Sequence, residues 1–127
     1  PGKRHLAVVV FCHGKRPLPG RRSRLFHAQR VFLFLRRAGR PRHGRIFHKV
    51  SAGCADGIRV DGDGNLWSSA GDGVHCIAAD GHLMGRILVP EVVSNLCFGG
   101  RAKHRLFITA TTSVYSVILN RRGVQWP

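Results

Sequence analysis

Acidic residues are scarce in this chain: 127 residues carry six Asp and Glu against 21 Lys and Arg, a formal charge of +15. The shortage is uneven. Between Pro1 and Val50 there is no Asp, Glu, Asn or Tyr, yet fourteen of the basic residues fall there. That stretch can build neither a carboxylate metal site nor a carboxylate acid–base pair. From Ser51 to Pro127 the other seven basic residues meet all six acids, for a balance of +1. Long apolar runs are missing as well. The longest, Leu6–Cys12, is seven residues, against the roughly 20 that a helix needs to cross a bilayer, so no membrane span is expected. That run is followed by His13-Gly14-Lys15-Arg16 rather than by the small residues of a cleavage site, and no targeting signal is read from it.

Closely spaced cysteines are also lacking. Cys12, Cys54, Cys76 and Cys97 stand too far apart for a zinc knuckle or a redox pair. They are expected as small buried apolar residues in a reducing compartment, which makes the cytoplasm the expected location. The eight histidines include no i, i+4 pair on a convincing helix, and His43 and His48, in a Gly- and Arg-rich stretch, are expected to be solvated. Ser68-Ser69 has no glycine framing of the nucleophile-elbow kind, so no Ser–His–Asp triad is assigned.

What the second half does have is alternation. Asp56–Asp61 alternates apolar with polar residues, Gly62–Asn65 supplies residues that accept positive φ, and Leu66–Ala70 resumes an extended pattern. Gly71-Asp72-Gly73 turns the chain into a strand at Val74–Ala78, and Asp80-Gly81-His82 turns it into another at Leu83–Val89, closed by Pro90. The pattern then recurs. Leu96-Cys97-Phe98, Leu106–Ala110 and Val114–Val117 stand in for Ile58-Arg59-Val60, Leu66–Ala70 and Val74–Ile77 at offsets of 38 to 40 residues. A period near 40 with three or four strands per unit is the mark of β-propeller blades, which bury their faces against one another. With 43% hydrophobic residues the chain can build such a core.

Specific strings sharpen this. Gly44–Phe47, Cys54–Asp61, Gly64–Trp67, Ala70–Val74, Val93–Gly100, Leu106–Ala110 and Asn120–Gln125 resemble, in order, the C-terminal part of the gluconolactonase, regucalcin and luciferin-regenerating-enzyme family. The resemblance covers about residues 44 to 125. It implies an all-β fold, part of a six-bladed β-propeller of which this chain would hold about two C-terminal blades. It also implies hydrolysis of a sugar lactone, with one divalent cation, calcium or zinc with magnesium also compatible, in the central channel. Asp56 matches the aspartate of the family's Pro-Asp-Gly turn that holds the metal, with Ala55 in place of the proline, and is the expected metal ligand and catalytic residue. The glutamate and asparagine ligands of earlier blades have no counterpart here. The residues alone leave a second role open for Asp56, a turn aspartate bonding its own backbone.

Two other patterns compete. Asp61-Gly62-Asp63-Gly64-Asn65 starts like an EF-hand calcium loop, with Asp72 at the twelfth position, but Leu66 stands where glycine must turn and the flanks read as strands. A hairpin turn is expected instead. The basic stretch, with Arg21-Arg22-Ser23-Arg24 and Arg36-Arg37 interleaved with Phe26, Phe32 and Phe34, offers a nucleic-acid-binding module through residues 1–45 as the alternative function. Its composition equally matches out-of-frame translation of a GC-rich gene. The expected division is therefore a basic segment at 1–43, out of frame or disordered, and propeller blades at 44–127. The expected partner is a small sugar lactone, with nucleic acid only if the basic segment is genuine, and the oligomeric state is not fixed by the sequence.

Overall fold

The computed structural model describes residues 5–11, 30–37 and 40–124, with side chains from Ile46 to Val124. Residues 12–29, which carry Arg21–Arg24 and Phe26, lie outside the described residues. Among the described residues the regular structure is all strand: β1 (His5–Phe11), β2 (Arg30–Arg37), β3 (Arg40–Lys49), β4 (Ile58–Val60), β5 (Leu66–Ala70), β6 (Gly73–Ile77), β7 (Leu83–Leu88), β8 (Val93–Gly99), β9 (Arg105–Ala110) and β10 (Val114–Ile118). Every pairing is antiparallel, in three sheets of order β1-β2-β3, β4-β5-β6-β7 and β10-β9-β8.

The strands of the second and third sheets lie where alternation puts them. Short turns make successive strands neighbours, so each sheet is a meander. Ala70 pairs Gly73 across a two-residue loop, and Gly73 takes φ 140° with an added Cβ only 2.0 Å from the carbonyl oxygen of Ile87. No side chain fits there.

The middle strands of the β4–β7 sheet are buried on both faces, while β7 is largely exposed. All five residues of β5 are buried, and because successive side chains point to opposite faces, they serve two cores. Trp67 joins Val74, Val89, Val93, Leu96, Phe98, Leu106 and Ile108 on the side of the third sheet, its ring edge-on to Phe98 at 5.9 Å. Leu66, Ala70 and Ile77 pack with Val50 and Ala55 on the other side, covered by Phe47 of β3. This face-to-face stacking of meander sheets is how propeller blades share their cores. After β10 the chain returns to the second sheet. Asp61 bridges Gly123, and the Gly62 amide donates to the Arg122 carbonyl at 2.8 Å.

The cysteine expectation needs correction at one position. Cys97 is exposed, because on β8 it faces opposite to the buried Leu96 and Phe98. Cys54 and Cys76 are half-buried. Burial, with the nearby Asp61 carboxylate, pushes the Cys76 thiol up to about 11, so it stays protonated and inert.

Candidate functional site

Asp56 lies in the segment leading into β4, an edge strand of the second sheet. Ser69 of β5, wholly buried, fixes that segment. Its Oγ accepts from the backbone N–H groups of both Asp56 and Gly57 at 2.9 Å, and its own N–H donates to the Gly57 carbonyl at 2.8 Å. Ala55, where the family carries proline, is completely buried in the core facing β3. The backbone on either side of Asp56 is thus immobilised while its side chain is exposed.

The other five carboxylates are committed within the protein. Asp61 is 1% exposed. Its Oδ1 accepts from the backbone N–H groups of Asp63 and Asn65 at 3.0 and 2.9 Å, and its Oδ2 from Asn65 Nδ2 at 3.0 Å and Trp67 Nε1 at 2.9 Å. Burial alone would raise this acid, but those four bonds outweigh it and hold it below the usual carboxylate range. The stretch that begins like a calcium loop is therefore a hairpin turn whose first carboxylate is fully used. Asp63 pairs Arg121 at 3.1 Å, and Asp80 accepts from the His82 amide two residues on. Glu91 accepts from the backbone and hydroxyl of Thr112 and from Tyr115 Oη at 2.7 Å.

Asp72 closes a polar cluster at the interface with β3. It meets His75 Nε2 and Arg86 Nη1, each at 2.9 Å, and His75 Nδ1 stands 3.5 Å from His48 Nε2. His48 is consequently not solvated as expected. It is half-buried, edge-on to His75, with burial first and then the His75 and Arg86 charges lowering its pKa against a backbone bond at Gly81. Periodicity places β3 and β6 in different sheets and gives no hint that these imidazoles meet.

Asp56, by contrast, accepts no hydrogen bond from the described residues, so it does not play the own-backbone role that Asp80 does. The next residue, Gly57, meets Asn95 of β8 across the sheet interface. An added Cβ on Gly57 would lie 2.3 Å from Asn95 Oδ1 and 2.7 Å from Asn95 Cα. Sequence reasoning placed Asn95 within a matching string but not in the site. The 38-residue offset carries the missing signal, since it aligns Asn95 with Gly57 just as it aligns Leu96 with Ile58.

As a hard oxygen donor Asp56 suits a divalent cation. Among the described residues, though, no three His, Cys, Asp or Glu side chains come together to hold one. This chain offers one arm of such a site, not a complete set.

Comparison with known proteins matches this geometry to a family. The model of the SMP-30/Gluconolactonase/LRE-like region matches residues 27–112. A gluconolactonase of Zymomonas mobilis is 38% identical over 73 residues, which are 56% of this chain and 20% of that protein. Among solved structures, a gluconolactonase of Xanthomonas campestris superposes with TM-score 0.68 at 38% identity, covering 72% of this chain and 31% of that one. A calcium-binding protein, regucalcin, of Agrobacterium tumefaciens superposes with TM-score 0.58 at 26% identity, covering 65% and 31%. The chain spans one fifth to one third of the length of these relatives. With strings, sheets and family match in agreement, the chain belongs to the SMP-30/gluconolactonase/LRE-like family.

Proposed function

We propose that the chain is the part of a metal-dependent sugar lactonase that supplies Asp56 to the active site, in a propeller that reaches six blades only with further sheets. One observation carries this reading: of the six carboxylates, Asp56 is the one left unengaged by the described residues, on a segment that Ser69 holds rigid. A lactone is a cyclic ester. In its hydrolysis water adds to the carbonyl carbon, the ring C–O bond breaks, and the departing oxygen takes up a proton to give the hydroxy acid. When bound, a divalent cation, calcium or zinc with magnesium also compatible, supplies polarisation of the carbonyl and acidification of water. Asp56 would be one of the side chains holding such a cation and would accept the water's proton. The remaining ligands come from blades outside this chain, so the chain alone turns over lactone weakly or not at all.

The test is a hybrid in which residues 46–124 replace the corresponding blades of the Xanthomonas gluconolactonase. It is expected to hydrolyse gluconolactone and to stop when divalent cations are chelated. A folded hybrid that is inactive, or indifferent to chelation, contradicts the reading.

A further inference from the structure

Asn95 is held as firmly as the Asp56 segment, and by different means. The β8–β9 register shifts between Val93 and Asn95, a bulge that turns two consecutive residues, Ser94 and Asn95, toward solvent. Bulges of this kind re-aim side chains beside functional sites. Thr109 locks this one: its Oγ1 donates to the Asn95 carbonyl at 3.2 Å, and its own carbonyl accepts from Ser94 Oγ at 3.1 Å.

The orientation of the carboxamide is also fixed. The Leu96 amide, a donor, meets the Asn95 side chain at 2.8 Å. Only an oxygen can accept there, so the assignment of Oδ1 is unambiguous and the Nδ2 hydrogens point elsewhere. Those hydrogens find no acceptor among the described residues. Asn95 rests against Gly57, whose chain neighbour is the exposed Asp56. An acceptor-only group and a donor pair, each unengaged by the described residues, therefore lie at the leading ends of β4 and β8, the two edge strands that meet through Gly57 and Asn95.

We propose that Asn95 orients the substrate of this site, its Nδ2 donating a hydrogen bond to an oxygen of the sugar lactone held beside Asp56; the proposal rests on the lactonase reading above. Lactone ring, carbonyl and hydroxyl oxygens are all acceptors, and Asp56 can receive only from hydroxyls. The pair thus reads opposite polarities of one polyol ring. Gly57 belongs to the same arrangement, since any side chain there would displace the carboxamide.

The test uses the full 127-residue chain, labelled with nitrogen-15, titrated with a gluconolactam as a neutral, hydrolysis-resistant probe in the presence of calcium. Saturable shifts are expected at the Asn95 side-chain NH2 pair and the Asp56 and Gly57 amides. Asn95→Asp keeps an acceptor for the Leu96 amide but loses the donor, and Asn95→Ala loses both. Each is expected to weaken lactam binding about fivefold to tenfold, the share of one hydrogen bond. Were Asn95 merely a prop for the bulge, Asn95→Asp would restore wild-type binding, and that result overturns the proposal. If both Asn95 variants bind normally while Asp56→Ala does not, the role of Asn95 fails and the lactonase reading stands. Absence of lactam shifts at Asp56 and Asn95 alike overturns the Asn95 proposal, and the lactonase reading is then decided separately by turnover of the hybrid.

Discussion

At the scale of single residues the structure separates aspartates that build from one that is available. Asp61 anchors four donors beneath Trp67. Asp61→Ala leaves three of them, on Asn65 and Trp67, buried without an acceptor, and a loss of about 2–4 kcal/mol of stability is expected, read from urea unfolding. A loss within experimental error of zero would mean that water replaces the carboxylate there. Glu91 gives a pH prediction with a definite sign. Hydrogen bonds from Ser113, then Tyr115 and Thr112, hold it near 2, below its ordinary 4.5. A depressed carboxylate contributes stability that is complete above the unfolded value and disappears as pH falls through the folded one. Unfolding midpoints should therefore decline between pH 4.5 and 2, and Glu91→Gln should flatten that decline; an unchanged slope in the variant contradicts the assignment. Much of this was legible beforehand. Leu66 in the glycine position marked the Asp61 loop as a turn, whereas Asn95 and the His48–His75 contact depend on packing between sheets, which no local pattern encodes.

At the scale of elements, alternation located the strands of the second and third sheets to within a few residues, because each pairs with its sequence neighbour through a short turn. It missed where pairing stops. β4 is only Ile58–Val60, since the residues before it are bonded to Ser69. The third sheet has three strands against four in the second, and among the described residues the chain after β10 returns to bridge Asp61 through Gly123 and adds no fourth strand beside β10. The outer edge of β10 therefore carries Val114 at 70% and Ile118 at 61% exposure. An unprotected apolar edge recruits other strands. Replacing both residues with lysine is expected to shift the chain toward monomer in light scattering, at a stability cost within about 0.5 kcal/mol, as for surface changes generally. Identical association in wild type and variant would place the sticky surface elsewhere.

At the scale of the whole molecule, the charge of +15 is a poor guide to function. Nearly all of it lies before Ser51, while every carboxylate and Asn95 lie after. The family match begins at residue 27, so residues 27–43 of the basic segment fall inside it, earlier than the matching strings near Gly44 suggested. β2 and β3 continue the meander through Arg30–Arg37 and Arg40–Lys49. Composition could not reveal this, because a strand's backbone pairing leaves its side-chain charge free to vary. The central claim is that Asp56 is the reactive carboxylate of a lactonase, and it is tested most directly by gluconolactone turnover of the Xanthomonas hybrid carrying Asp56→Ala, at saturating divalent cation. The account predicts a fall in kcat of about 100-fold or more with the fold intact; turnover equal to that of the unmutated hybrid would contradict it.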